Sequence, residues 1–137
     1  MKNELFISEH FTINEMLKNN HGILNWCSPS EMDNLIDLTQ AVLEPTRKFI
    51  KAAIFVTSGY RNRTLNALVG GEDDSQHPLG EAVDFKCKDM VAAFEYIKNN
   101  LDFDQLIWEK GTKKCPAWIH VSFTTRRKNR KQVLYIF

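Results

Sequence analysis

Two periods run through the apolar positions of this chain, and the places where one gives way to the other mark its elements. Thr12-Ile13-Asn14-Glu15 has the form of a capping box, with a Thr hydroxyl for the third helical N–H and a Glu that reaches back. It predicts a short helix carrying Ile13, Met16 and Leu17. Ser28-Pro29-Ser30-Glu31 repeats that signal with proline at the first helical position. Beyond it Met32, Leu35, Ile36, Leu38, Val42 and Leu43 recur mostly at steps of three and four, the pattern of an amphipathic helix. Pro45 removes an N–H, so a kink or break is predicted near Leu43–Glu44, with resumption through Phe49.

From Ala53 the period shortens to two. Ala53-Ile54-Phe55-Val56-Thr57 is β-branched and aromatic, a buried strand running into a turn at Ser58-Gly59-Tyr60-Arg61. Asn62 caps a short predicted helix, Arg63 to Val69, which Gly70-Gly71 end. Glu81 to Cys87 reads as a second strand with Val83 and Phe85 on one face and Ala82, Asp84 and Lys86 on the other. Asp89 caps a helix holding Met90, Val91, Ala93, Phe94 and Ile97. Gln105 to Glu109 is a third strand. Trp118 to Phe123 is a fourth, with Ile119, Val121 and Phe123 inward and Trp118, His120 and Ser122 opposite. Val133 to Phe137 is the last. Short strands with helices gathered mostly early predict an α+β fold with a mainly antiparallel sheet and helices packed on it.

Composition narrows the class. A chain of 137 residues with 43% hydrophobic and 26% charged positions supports one domain over 1–137 with one core. A net charge of +1 gives no global reason to expect nucleic acid or an anionic membrane as partner. Arg126 to Lys131 is the only basic run and reads as a solvated loop. Cys27, Cys87 and Cys115 are odd in number and far apart, which argues against a disulfide framework or a zinc knuckle and for a reducing compartment. No long apolar run follows Met1, so no signal peptide is expected, and no window suits a membrane span. The expectation is synthesis in the cytoplasm.

The chemistry concentrates in Ser75-Gln76-His77-Pro78-Leu79-Gly80-Glu81-Ala82-Val83-Asp84, with a further histidine in Trp118-Ile119-His120. Either histidine alone is most simply a surface or a satisfied strand histidine. Asp84 alters the balance. A carboxylate between Val83 and Phe85 is costly in an apolar strand unless it is paired or metal-bound, and His120 repeats the situation. Two His and one Asp make a complete protein ligand set for a catalytic zinc, with a fourth position open to water. The same ligands exclude neither cobalt nor manganese. Pro78 stiffens the backbone after His77, and Gly80 permits a tight turn or a close approach.

The string Ser58-Gly59-Tyr60-Arg61, then S-x-H-x-x-G-x-A-x-D over 75–84, then Trp118-x-His120 resembles the zinc D-alanyl-D-alanine carboxypeptidase family, which includes phage endolysin peptidases. Leu65 to Gly71 and Phe103 to Ile107 are similar to its small single-domain, phage-type branch. The resemblance implies one zinc ion held by His77, Asp84 and His120, and action on peptide bonds of the peptidoglycan stem. It implies that Arg61 neutralises the oxyanion or holds a substrate carboxylate; Ser75, two residues before a ligand, is expected to bind substrate or orient the ligands. Better-known members carry a carboxylate three residues before the second histidine, where this chain has Ala117. The replacement expected here is Glu109 as general base, with Glu81 as the alternative. Trp118 shares a face with His120 and is expected to line the substrate groove; Tyr60 is a further candidate.

These readings predict a zinc-dependent carboxypeptidase or endopeptidase on peptidoglycan, of phage or prophage type, monomeric and released to the wall by a holin-type lysis step. The alternative is a non-catalytic zinc or wall-binding module, or a virion component, in which the fold persists without a working base. Peptidoglycan stem peptide is the expected partner in the first case.

Overall fold

The computed structural model describes residues 4–137; Met1 to Asn3, the start of the stretch in which no signal peptide is expected, lie outside the described residues. Helix α1 (Ile13–Leu17) starts at the Thr12/Glu15 capping box and α2 (Pro29–Leu38) at the Ser28/Glu31 box, both with the reciprocal bonds complete. The interruption predicted before Pro45 takes the form of a π-helical turn, Thr39–Leu43, which leads directly into α3 (Glu44–Ile50). The N–H of Glu44 reaches Thr39 O, a five-residue step. The register thus slips just ahead of the residue that has no N–H to give, and the helix carries through where a break was one of the expected outcomes.

The strands are β1 (Ile54–Ser58), β2 (Ala82–Cys87), β3 (Gln105–Glu109), β4 (Trp118–Ser122) and β5 (Gln132–Ile136). Between them lie α4 (Arg63–Leu68), a 3-10 turn at His77–Leu79, and α5 (Met90–Asn100). They form one five-stranded sheet in the order β1-β2-β4-β3-β5. Every pairing is antiparallel except β3 with β5, which is parallel. The fold is α+β with a mostly antiparallel sheet.

One face of the sheet packs on the helices. Val83 and Phe85 of β2 and Ile119 and Val121 of β4 meet Leu35, Leu38, Phe94 and Ile97 in the core. Alternation then forces Asp84 and His120 to the opposite face, and the β2–β4 register sets them directly across from each other. Val91, counted with the apolar positions of α5, is 38% exposed instead.

The basic run is an exposed loop, as expected, but its arginines are not free: Arg126 pairs with Glu81, and Arg127 and Arg130 both pair with Asp104. Glu81 and Asp104 are fully buried. A carboxylate without solvent needs compensating charge and donors, and these arginines supply both. Among the described residues, no helix is long and apolar enough to cross a membrane.

Candidate metal centre

Three elements deliver the polar groups of the site. The 3-10 turn carries His77, β2 carries Asp84 and β4 carries His120. His77 is held from both sides. Its backbone N–H donates to Ser75 Oγ at 3.2 Å, and its ring Nδ1 lies 2.6 Å from Gly59 O. A carbonyl can only accept, so the hydrogen sits on Nδ1 and the Nε2 lone pair is left pointing into the site. Gly59 is where the turn after β1 touches the end of α1: a Cβ there would meet Met16 O at 2.5 Å. Gly80, at φ +73°, lets the chain reverse out of the 3-10 turn with its α-carbon against the Glu31 carbonyl.

Asp84 is the hub. Its Oδ1 lies 2.9 Å from His120 Nδ1 and 3.5 Å from His77 Nε2, while its Oδ2 accepts from Arg61 Nη2 at 3.1 Å. Burial alone would raise the Asp84 pKa, but the flanking imidazoles, His77 and then His120, outweigh it and hold the carboxyl far below its usual range. Burial pushes the His77 pKa down against the opposing pull of Asp84. One ligand atom from each of His77, Asp84 and His120 lies within 4.8 Å of the other two.

Whether these residues fit a metal ion is decided by His77 Nε2. Among the described residues it is the buried side-chain polar atom that has no hydrogen-bond partner. Burying an acceptor with nothing to accept is costly, and buried polar groups are nearly always satisfied. A neutral imidazole whose other nitrogen donates to a backbone carbonyl, facing an ionised carboxylate and a second imidazole, is the donor set that zinc takes. The residues fit the ion.

The centre opens into a cleft of about 610 Å³, lined by Arg61, Ser75, Glu109 and Trp118 beside the three candidate ligands. Glu109 comes from the end of β3, opposite Trp118 and two residues along from Ile107, the partner of His120. It therefore shares the cleft face with His120. Burial raises its pKa, His120 opposes the rise and Asp84 adds to it. Ala117, where the resemblance calls for a carboxylate, donates its N–H to Glu109 O at 2.9 Å, so the two positions adjoin.

A model of the peptidase M15 family matches residues 9–122. The chain belongs to that family. M15 peptidases are zinc-dependent, and membership makes this chain a metallopeptidase by family, with peptidoglycan as the implied substrate class. No curated protein matches the chain.

Two other sequence candidates, Tyr60 and Glu81, fall elsewhere in the M15 domain. Tyr60 does not line the cleft. It is 5% exposed and sits in the core, where burial and the nearby Glu31 charge push its phenol up to about 12. Its bulk is worth more there than at the rim. Glu81, the alternative base, accepts from Gln76, Thr124 and Arg126 with its side chain sealed from solvent. Burial alone would raise its pKa, but the Arg126 hydrogen bonds and those of Gln76 and Thr124 hold it low. Arg61 donates to Ser58 Oγ, Asn66 Oδ1 and Asp84 Oδ2. Asn25 and Asn66 had not stood out in the sequence as supports. Asn25 donates to Leu17 O and Tyr60 O and accepts from the Asn62 N–H, clamping the turn that carries Gly59 and Arg61. Buried amides show only as polar residues among apolar neighbours, a weak signal at single positions.

Proposed function

We propose that this chain is a zinc-dependent peptidase of peptidoglycan stem peptides, a D,D-carboxypeptidase or endopeptidase serving a phage or prophage in wall lysis, with zinc held by His77, Asp84 and His120. The observation that carries the reading is the orphaned, buried His77 Nε2 aimed at Asp84 and His120 in an open cleft. Zinc, when bound, supplies a Lewis acid that polarises a carbonyl and acidifies water.

The chain's own residues do the rest. Glu109, its pKa raised by burial, accepts the proton of the attacking water and returns it to the leaving amine. Gly59 O fixes the His77 tautomer, and Ser75 Oγ fixes the backbone that carries the ring. Arg61 orients Asp84 by donating to its Oδ2, and from the cleft wall it supplies positive charge toward a developing oxyanion or a substrate carboxylate. Trp118 offers an indole face for the substrate backbone.

The test is mass spectrometry of fragments released from purified sacculi, with and without a chelator. Loss of terminal D-Ala, or cleavage of an internal bond, abolished by chelation and restored by zinc, establishes the enzyme and the bond. No chelator-sensitive product from folded, zinc-loaded protein across several wall types refutes it. Ala117 favours one other reading, a zinc or wall-binding module without a working base; it would bind sacculi intact and release nothing.

A further inference from the structure

We propose that Arg126, Arg127 and Arg130 form an anion-recognising wall of the same cleft, which takes a free carboxylate on the peptide substrate. This rests on the peptidase reading above. The three arginines line the cleft together with the candidate metal ligands, and they lie beyond residues 9–122, the part that the family model covers.

The segment between β4 and β5 is built to hold them. Thr124 N–H donates to Asn129 Oδ1, Arg126 N–H to Thr124 Oγ1, Arg130 N–H to Asp104 Oδ1 and Lys131 N–H to Phe103 O. Glu81 grips Arg126 through Nε and Nη2, and Asp104 grips Arg127 through both terminal nitrogens and Arg130 through Nε and Nη2. The guanidinium groups are thus fixed before any ligand arrives, and little side-chain entropy is lost on binding.

They also have capacity left over. Three guanidinium groups meet two buried carboxylates, so one positive charge is unbalanced. The side chains are 51%, 41% and 49% exposed, so about half of each still reaches the cleft and solvent. Arg126 Nη1, Arg127 Nε and Arg130 Nη1 have no hydrogen-bond partner among the described residues. Neutralising Asp104 takes one arginine, and the second exceeds that need. A fixed, partly desolvated fork with spare N–H groups matches a carboxylate in geometry as well as charge. Gln76, next to His77, donates to Glu81, which ties this wall to the segment carrying the first candidate ligand.

The experiment compares a stem pentapeptide whose glutamyl residue bears a free α-carboxylate with its carboxamide counterpart. Equilibrium binding to the full chain under chelator is followed through the arginine Nε–H signals in NMR, and KM and kcat are measured on the zinc-loaded protein. The free carboxylate should bind about tenfold tighter, as expected for one charge-assisted contact. R127Q and R130Q each leave Asp104 one guanidinium, and each should remove that preference, raise KM for the free-carboxylate peptide alone and leave kcat in place. R130K should retain part of the preference. Equal binding of the two peptides by the unaltered chain, binding of neither, or variants that weaken both peptides alike would overturn the proposal. Failure of the peptidase reading shows differently, as preserved discrimination in binding with no chelator-sensitive cleavage.

Discussion

Glu109 and Gly59 bear on the same centre from different sides, one from the cleft wall and the other through the carbonyl that faces the His77 ring. If Glu109 is the base, Glu109→Gln should lower kcat by about 10²–10⁴-fold, the usual worth of a positioned acid–base group. Zinc affinity measured by competition with a chromophoric chelator should be unchanged. Unaltered turnover would move the base elsewhere, and Glu81 offers no replacement because its oxygens are committed to Gln76, Thr124 and Arg126. Gly59→Ala pushes a methyl against the Met16 carbonyl, and the nearest relief is to shift the Gly59 carbonyl on which the His77 ring depends. The variant should lose about 1–3 kcal/mol of stability in denaturant titrations. It should also bind zinc about 10–100-fold more weakly, as expected when the partner orienting a ligand is disturbed. A loss of stability with full zinc affinity would show that the carbonyl does not set the ring.

Among the elements, those written in local chemistry were legible. Both capping boxes lie within four consecutive residues, so α1 and α2 begin where the sequence says. The alternation around Asp84 and His120 put both on the face away from Val83 and Ile119, and the β2–β4 register then made them neighbours. What depends on distant partners was not legible. Nothing in Gln132–Ile136 announces that it runs parallel to β3, and nothing in Arg126–Arg130 announces Glu81 and Asp104, which lie 45 and 26 residues from Arg126 and Arg130. Tyr60 is a groove candidate as an aromatic residue, yet the turn sends it and its neighbour Arg61 to opposite sides, one to the core and one to the cleft. The cap of α2 matters to the centre because the Glu31 carbonyl in its first turn abuts Gly80, directly after the turn that carries His77. Ser28→Ala should cost about 1 kcal/mol, read as a lower denaturant midpoint with an unchanged slope. A changed slope would mean that the cap controls more of the fold than one helix end.

At the scale of the whole molecule, three carboxylates anchor distant parts of the chain. Asp104 and Glu81 hold the β4–β5 connection, and Glu44 of α3 holds the segment before α1 through Ser8 Oγ, His10 N–H and His10 Nδ1. For each, burial alone would raise the pKa, and the hydrogen bonds received more than offset it, so all three titrate below their ordinary values in the folded state. A depressed folded pKa means that the unfolded chain takes up protons first. The stabilisation is therefore fully present above the unfolded carboxyl values, about 4, and is lost as pH falls through the lower folded ones. Denaturant midpoints of the metal-free protein should accordingly be nearly level with respect to these groups from about pH 7 to 5 and fall steeply below about pH 4. Asp104→Asn gives the decisive comparison, because Arg127 and Arg130 are 41% and 49% exposed and can turn to water when their partner loses its charge. That variant should be less stable at pH 7 and should lose less on acidification, so the two curves converge at low pH. Parallel curves would show that the buried carboxylate beneath the arginines contributes nothing to the acid sensitivity of the fold, and would leave Glu81 and Glu44 to account for it.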